Sequence, residues 1–127
     1  MNSTLNVILW VLQGLMGVVF LSAGGMKIFQ PKENLEKKMD WVKNVSAQTV
    51  KIIGGLEVLG ALGLILPGLT GILPWLTALA AVGLALTMLG AIITHIRLGE
   101  MSKNIVPVVF LALLVFVAYA RFVLAPL

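Results

Sequence analysis

The sequence predicts an all-α protein: a transmembrane four-helix bundle with a short amphipathic interfacial helix between its first two spans. Three observations carry this reading. Of the 127 residues, 60% are hydrophobic and only 11% are charged, against about 25% charged in soluble domains. Mean hydropathy is +1.08. The apolar residues fall into four long stretches, about 5–29, 50–66, 75–96 and 105–124, divided by charged or breaker-rich segments. A helix needs about 20 apolar residues to cross a core of about 30 Å, so residues 1–127 are expected to form a single membrane domain.

The first span, Leu5 to Phe29, is long enough to cross with some tilt. Ser22-Ala23-Gly24 resembles a small-residue cleavage site. The segment has no basic n-region, however, and its apolar run is too long for a signal h-region, so it is expected to stay as a span. Gln13, Gly17, Phe20, Gly24 and Lys27 recur at helical spacing and collect its polar and small residues on one face.

Gln30 to Thr49 is the only strongly polar stretch. Pro31 is placed to start a helix, and Leu35, Met39, Val42 and Val45 recur every three to four residues among lysines and acids. Trp41 suits the headgroup region. The expectation is a short amphipathic helix lying on the membrane, either a docking or anionic-lipid surface or a plain solvated connector.

The second span centres on Lys51–Pro67, KIIGGLEVLGALGLILP, and sets Glu57 about two turns inside it. A carboxylate at that depth costs about 2–4 kcal/mol on insertion scales, so it is expected to face protein and to have a partner. Gly54, Glu57, Gly60, Ala61 and Leu64 fall near one helical face, where small residues let another helix come close. Pro67 to Pro74, with two prolines and two glycines, is expected to form a tight turn. Pro74 and Trp75 open the third span, which runs to Ile96. Arg97 to Lys103 form the next loop, Ser102 or Asn104 can cap the fourth span, and Pro107 is tolerated in its first turns.

The formal net charge of +4 comes without any base-reading motif or aromatic–basic platform, so no nucleic-acid partner is expected. Its distribution explains it better. With four spans, Lys27, Lys32, Lys37, Lys38, Lys43, Lys51, Arg97 and Lys103 share one side, and only Arg121 lies on the other. Cytoplasmic loops carry such an excess. The termini are therefore expected outside the cell (inner) membrane, with the 30–49 and 97–103 loops in the cytoplasm. The chain has no cysteine, which excludes thiol–disulfide exchange by its own residues, a Cys-ligated iron–sulfur cluster and c-type haem attachment.

This topology brings Lys27, Glu57 and His95 toward the cytoplasmic half. Either a Glu57–Lys27 ion pair relieves the burial of both charges, or a Glu57–His95 hydrogen bond fixes the imidazole. Leu84, Met88, Ala91 and His95 share one face of span three. Glu57 and His95 supply two ligands, short of the three or four that zinc takes, so no metal site is expected. Gln13 and Arg121 stand outside the cluster, and Trp10, Trp41 and Trp75 fit interfacial belts.

At these residues the chain resembles the DoxX-like family. Span one carries Gly17-x-x-Phe20-x-x-x-Gly24-x-x-Lys27-Ile28-Phe29, span two Gly54-Gly55-Leu56-Glu57-Val58-Leu59-Gly60, and span three Met88-x-x-Ala91-x-x-x-His95. The likeness covers about three-quarters of the chain in the right order. It implies a small four-helix membrane bundle, with Lys27, Glu57 and His95 as its polar cluster or ligand-binding residues and Gly24, Gly54, Met88 and Ala91 as their packing frame. Members of the family are linked to membrane oxidoreductases of the thiosulfate:quinone type and to respiratory or oxidative-stress complexes. A eukaryotic branch is similar to a receptor-assembly chaperone.

Three functions follow as expectations. The first is an accessory or anchor subunit of a quinone-linked membrane redox system, with a quinone or lipid site near Glu57. A bis-histidine haem needs two histidines and the chain has one, so any flavin, haem or iron comes with a redox partner and the chain carries no cofactor of its own beyond a quinone. It is not expected to be a catalyst alone. The second is a non-catalytic assembly module, with membrane lipid or further copies of itself as partners. The third is a small proton-coupled transporter. Small multidrug transporters match in length and in having a single membrane glutamate, but their acid lies in the first span.

Overall fold

A computed structural model describes residues 3–127. Regular structure among the described residues is entirely helical. Helix α1 spans Ser3–Phe29, α2 Lys32–Glu36, α3 Ala47–Thr70, α4 Leu76–Arg97 and α5 Ile105–Tyr119. A 3-10 turn, Met101–Asn104, leads into α5, and a π-helical turn, Ala120–Leu124, carries it on. Four of these segments, Ser3–Phe29, Ala47–Thr70, Leu76–Arg97 and Met101–Leu124, are long and apolar enough to cross a membrane.

Short connections make consecutive long helices antiparallel. Helix α1 packs on α3, α3 on α4 and α4 on α5, while the seam between α1 and α5 is the thinnest. Leu9, Met16 and Phe20 of α1 meet Leu64 of α3, Leu84 of α4 and Leu114 of α5 in the core. Phe20 and Phe110 bridge the thin seam, with ring centroids 5.8 Å apart. The outer faces are as apolar as the inside: Leu59 is 67% exposed and Ile105 71%. That is the surface of a helix solvated by hydrocarbon, where burying apolar area between helices gains little and close packing decides the fold.

Glycines set that packing. A Cβ at Gly24 would stand 2.5 Å from the Gly54 carbonyl oxygen, and one at Gly54 would stand 2.7 Å from that of Gly24, so α1 and α3 touch backbone to backbone. A Cβ at Gly60 would stand 2.6 Å from Leu84, and one at Gly63 would stand 2.7 Å from the Ala80 Cβ, which brings α4 in. Gly54 and Gly60 thus serve different seams rather than one face. Six residues at about 100° each leave them about 120° apart around the helix.

The breakers act later than the sequence suggests. Pro67 lies inside α3, which continues to Thr70 and ends at Gly71, whose φ of 72° is the left-handed cap that glycine adopts freely. Neighbouring helices re-satisfy the backbone that a membrane proline leaves open. The 30–49 stretch is likewise not one helix. It breaks at Met39 (φ −136°, ψ 102°) between α2 and a 3-10 turn, Asp40–Asn44. The break lets Leu35 and Val42 both reach Val50 at the start of α3, in a small core of their own. Ser46 caps α3 by accepting from the Thr49 N–H at 3.1 Å.

Candidate functional site

Lys27 closes the last turn of α1, and Glu57 lies three residues beyond Gly54 on α3. Backbone contact at Gly24 and Gly54 brings the two side chains together. The Lys27 ammonium donates to Glu57 Oε1 at 2.7 Å, and the residues are only 7% and 3% exposed. Of the two pairings open to Glu57, the fold takes the one with Lys27. The ion pair engages Oε1 alone, and it uses one of the three N–H donors of an ammonium.

His95 does not bond to Glu57. Its Nδ1 lies 2.9 Å from Oδ1 of Asn104, whose amide nitrogen donates to the Ile92 carbonyl at 3.4 Å. An amide oxygen only accepts, so Nδ1 carries the proton of this bond and Nε2 is left to face the cavity. Asn104 does not cap α5 with its side chain. Its Oδ1 is turned to His95 instead.

Space separates His95 from the ion pair. Above the tight α3–α4 contacts a cavity of about 290 Å³ opens, walled by Lys27, Trp41, Glu57, Met88, Ala91 and His95. A second cavity, of about 490 Å³, shares Lys27, Trp41, Glu57, Met88 and His95 and reaches Phe20 and Phe110 toward α5. The three polar residues singled out in the sequence therefore stand between two cavities. Gly24 and Gly54 frame the ion pair, while Met88 and Ala91 form the α4 wall. Trp41, half-buried, is a wall residue too. Among the described residues no three His, Cys, Asp or Glu side chains converge as a metal set.

The rim of the second cavity is charged. Lys103 donates to Asp40 Oδ2 at 2.9 Å and to Glu100 Oε2 at 2.6 Å, tying the loop after α1 to the loop after α4. The hydrogen bond and charge of Lys103, with Lys43 adding to them, hold the Asp40 carboxyl below the usual carboxylate range. The tie is open to water and contributes little stability of its own.

A second polar cluster lies at the far end of the bundle, where no grouping was expected. Arg121, 4% exposed, donates from Nε to Gln13 Oε1 at 2.8 Å, and from Nη1 to Asn6 Oδ1 and the Ala125 carbonyl at 2.9 Å each. Gln13 in turn donates to the Leu64 carbonyl at 2.6 Å. The Arg121 guanidinium lies 5.7 Å from the Trp10 ring centre. The sequence signal was present in the polar Gln13 on the Lys27 face, but its partner is 108 residues away.

The fold and this interior define a multi-pass helical membrane protein with a polar, cavity-flanked centre near one end. The chain matches the DoxX-like family over residues 11–117 and belongs to that family. No curated protein and no solved structure matches it.

Proposed function

We propose that this protein is an accessory membrane subunit of a quinone-linked redox system, and that it holds a quinone head group in the cavity between Glu57 and His95. The observation that carries the reading is the makeup of that cavity. It is mostly apolar, close in volume to the small end of ligand pockets at about 300 Å³, and it has a few polar groups of different kinds on opposite walls. Lys27 has ammonium donors left for a ring carbonyl, and Nε2 of His95 offers a second polar contact for a ring oxygen. Glu57 aims the Lys27 ammonium, and Asn104 fixes which nitrogen of His95 is free. The Lys27–Glu57 pair has no net charge, which suits a neutral ring better than a phosphate. The quinone supplies two-electron, two-proton chemistry; the electrons reach it from a partner subunit, since one histidine and no cysteine leave the chain without a bis-histidine haem or a Cys-ligated cluster.

The test is gentle extraction followed by mass spectrometry of bound lipids and proteins. Quinone and an oxidoreductase subunit are expected in the wild-type sample, and quinone is expected to be lost from His95→Phe, which fills the cavity. A stable bundle that brings neither quinone nor oxidoreductase would leave the assembly module as the function.

A further inference from the structure

Thr87 lines the cavity and also an apolar groove of about 720 Å³, which runs between α3 and α4 on the face turned outward from the bundle. On α3 the junction falls between Leu56, in the groove, and Glu57, in the cavity. On α4 the groove runs from Thr87 back through Gly83 and Ala80 to Leu76. Those twelve residues span about 17 Å along the helix. Gly60 and Gly63 keep the floor low, and the walls include Leu59, Leu79 and Leu86, each at least half exposed.

We infer that this groove is the lane for the hydrocarbon tail of the ligand whose head group lies beside Glu57 and His95, so that the ligand is a prenyl-tailed membrane quinone rather than a short soluble one. The inference rests on the head-group reading above. The wall residue they share selects the occupant: a polar-walled chamber set beside an apolar channel has the shape of a ring with a tail. The neutral ion pair argues against a phospholipid, whose phosphate would meet Glu57 as well as Lys27. Two glycines mark the lane from head to tail. Gly90 lines the cavity and Gly83 the groove, both on α4, and a Cβ at either position meets no atom within 4 Å.

Trp41 on the cavity wall is the reporter. In a Trp10→Phe/Trp75→Phe background reconstituted in nanodiscs, its fluorescence is titrated with a decyl-tailed benzoquinone and with the tail-less parent, each expressed per lipid. The tailed probe is expected to quench with about tenfold lower Kd. In Gly83→Phe, which fills the groove, the two probes are expected to bind alike, whereas Gly55→Phe, also placed in open space on α3, keeps the difference. Gly83→Leu gives the same comparison if phenylalanine unfolds the bundle. Equal affinity of both probes for the parent protein, or a tail preference that survives the filled groove, overturns the lane and leaves the head-group site standing. Failure of both probes to quench Trp41 overturns the lane and the head-group site together.

Discussion

A carboxylate inside a membrane helix persists when a cation neutralises it in place, and Lys27 does this for Glu57 at 2.7 Å. Such a pair is expensive to break and cheap to replace. Removing one partner strands a buried charge at about 3–5 kcal/mol, while exchanging both for apolar residues of similar size is often neutral. Glu57→Ala is therefore expected to lower the thermal midpoint strongly and Glu57→Gln, which keeps an acceptor, less so. Lys27→Met/Glu57→Leu is expected to return close to wild type, as read by unfolding in detergent. A double variant as unstable as Glu57→Ala would show that the stranded charge is not what destabilises it. The recovered double variant also separates the two roles of the cluster, because it is expected to stay folded and to lose quinone. Both members of this pair were legible from the sequence, since a charge in an apolar run has so few ways to be satisfied. His95 was legible as a residue of the cluster but not in its partner. Asn104 reads as a helix cap in the sequence, but its side-chain oxygen is turned to His95 in the fold.

At the scale of the helix the same economy appears as backbone contact. Gly24 and Gly54 are the points where α1 and α3 touch, whereas their sequence neighbours Gly25 and Gly55 face open space. Gly24→Val is expected to push the helices apart by the width of a side chain and to pull Lys27 away from Glu57. That costs about 3 kcal/mol, in the range of overpacked sites. Gly25→Ala, one residue on, is expected to be neutral or to stabilise by about 0.5 kcal/mol through the unfolded chain. Equal effects at the two positions, measured by the same melts, would mean that helix approach does not depend on Gly24. The spans themselves were legible from hydropathy alone. Their ends and seams were less so. Pro67 looks like a terminator, yet the bundle around it lets α3 run on to Gly71. The 30–49 stretch has a helical repeat, yet Leu35 and Val42 reach Val50 only if the chain breaks between them. In both places packing by distant residues overrides a local preference, and the one-dimensional pattern carries no record of those residues.

For the whole molecule the two polar clusters change what the charge count means. Eight lysines and arginines lie toward one end of the bundle and one toward the other, but Lys27 and Arg121 are both consumed inside it. Seven basic residues at least partly exposed then face none, which makes the bias sharper than the raw count. Arg121 is spent closing the thin seam: through Gln13 and Asn6 it ties the end of α5 to α1, and Gln13 carries the tie on to α3. Its role is to hold helices together rather than to orient them. Arg121→Leu is accordingly expected to destabilise the bundle by about 2 kcal/mol, three bonds at about 0.6 each, without changing which side its ends face. A reporter fused after Leu127 is expected to read outside the cell in both wild type and Arg121→Leu, and one inserted between Lys37 and Lys38 to read cytoplasmic. A fusion that flips in Arg121→Leu would make this arginine an orientation signal. A cytoplasmic C-terminus in the wild type would mean that the seven exposed charges do not set the topology. In that second case the cavity between Glu57 and His95 would have to be approached from the other face of the membrane.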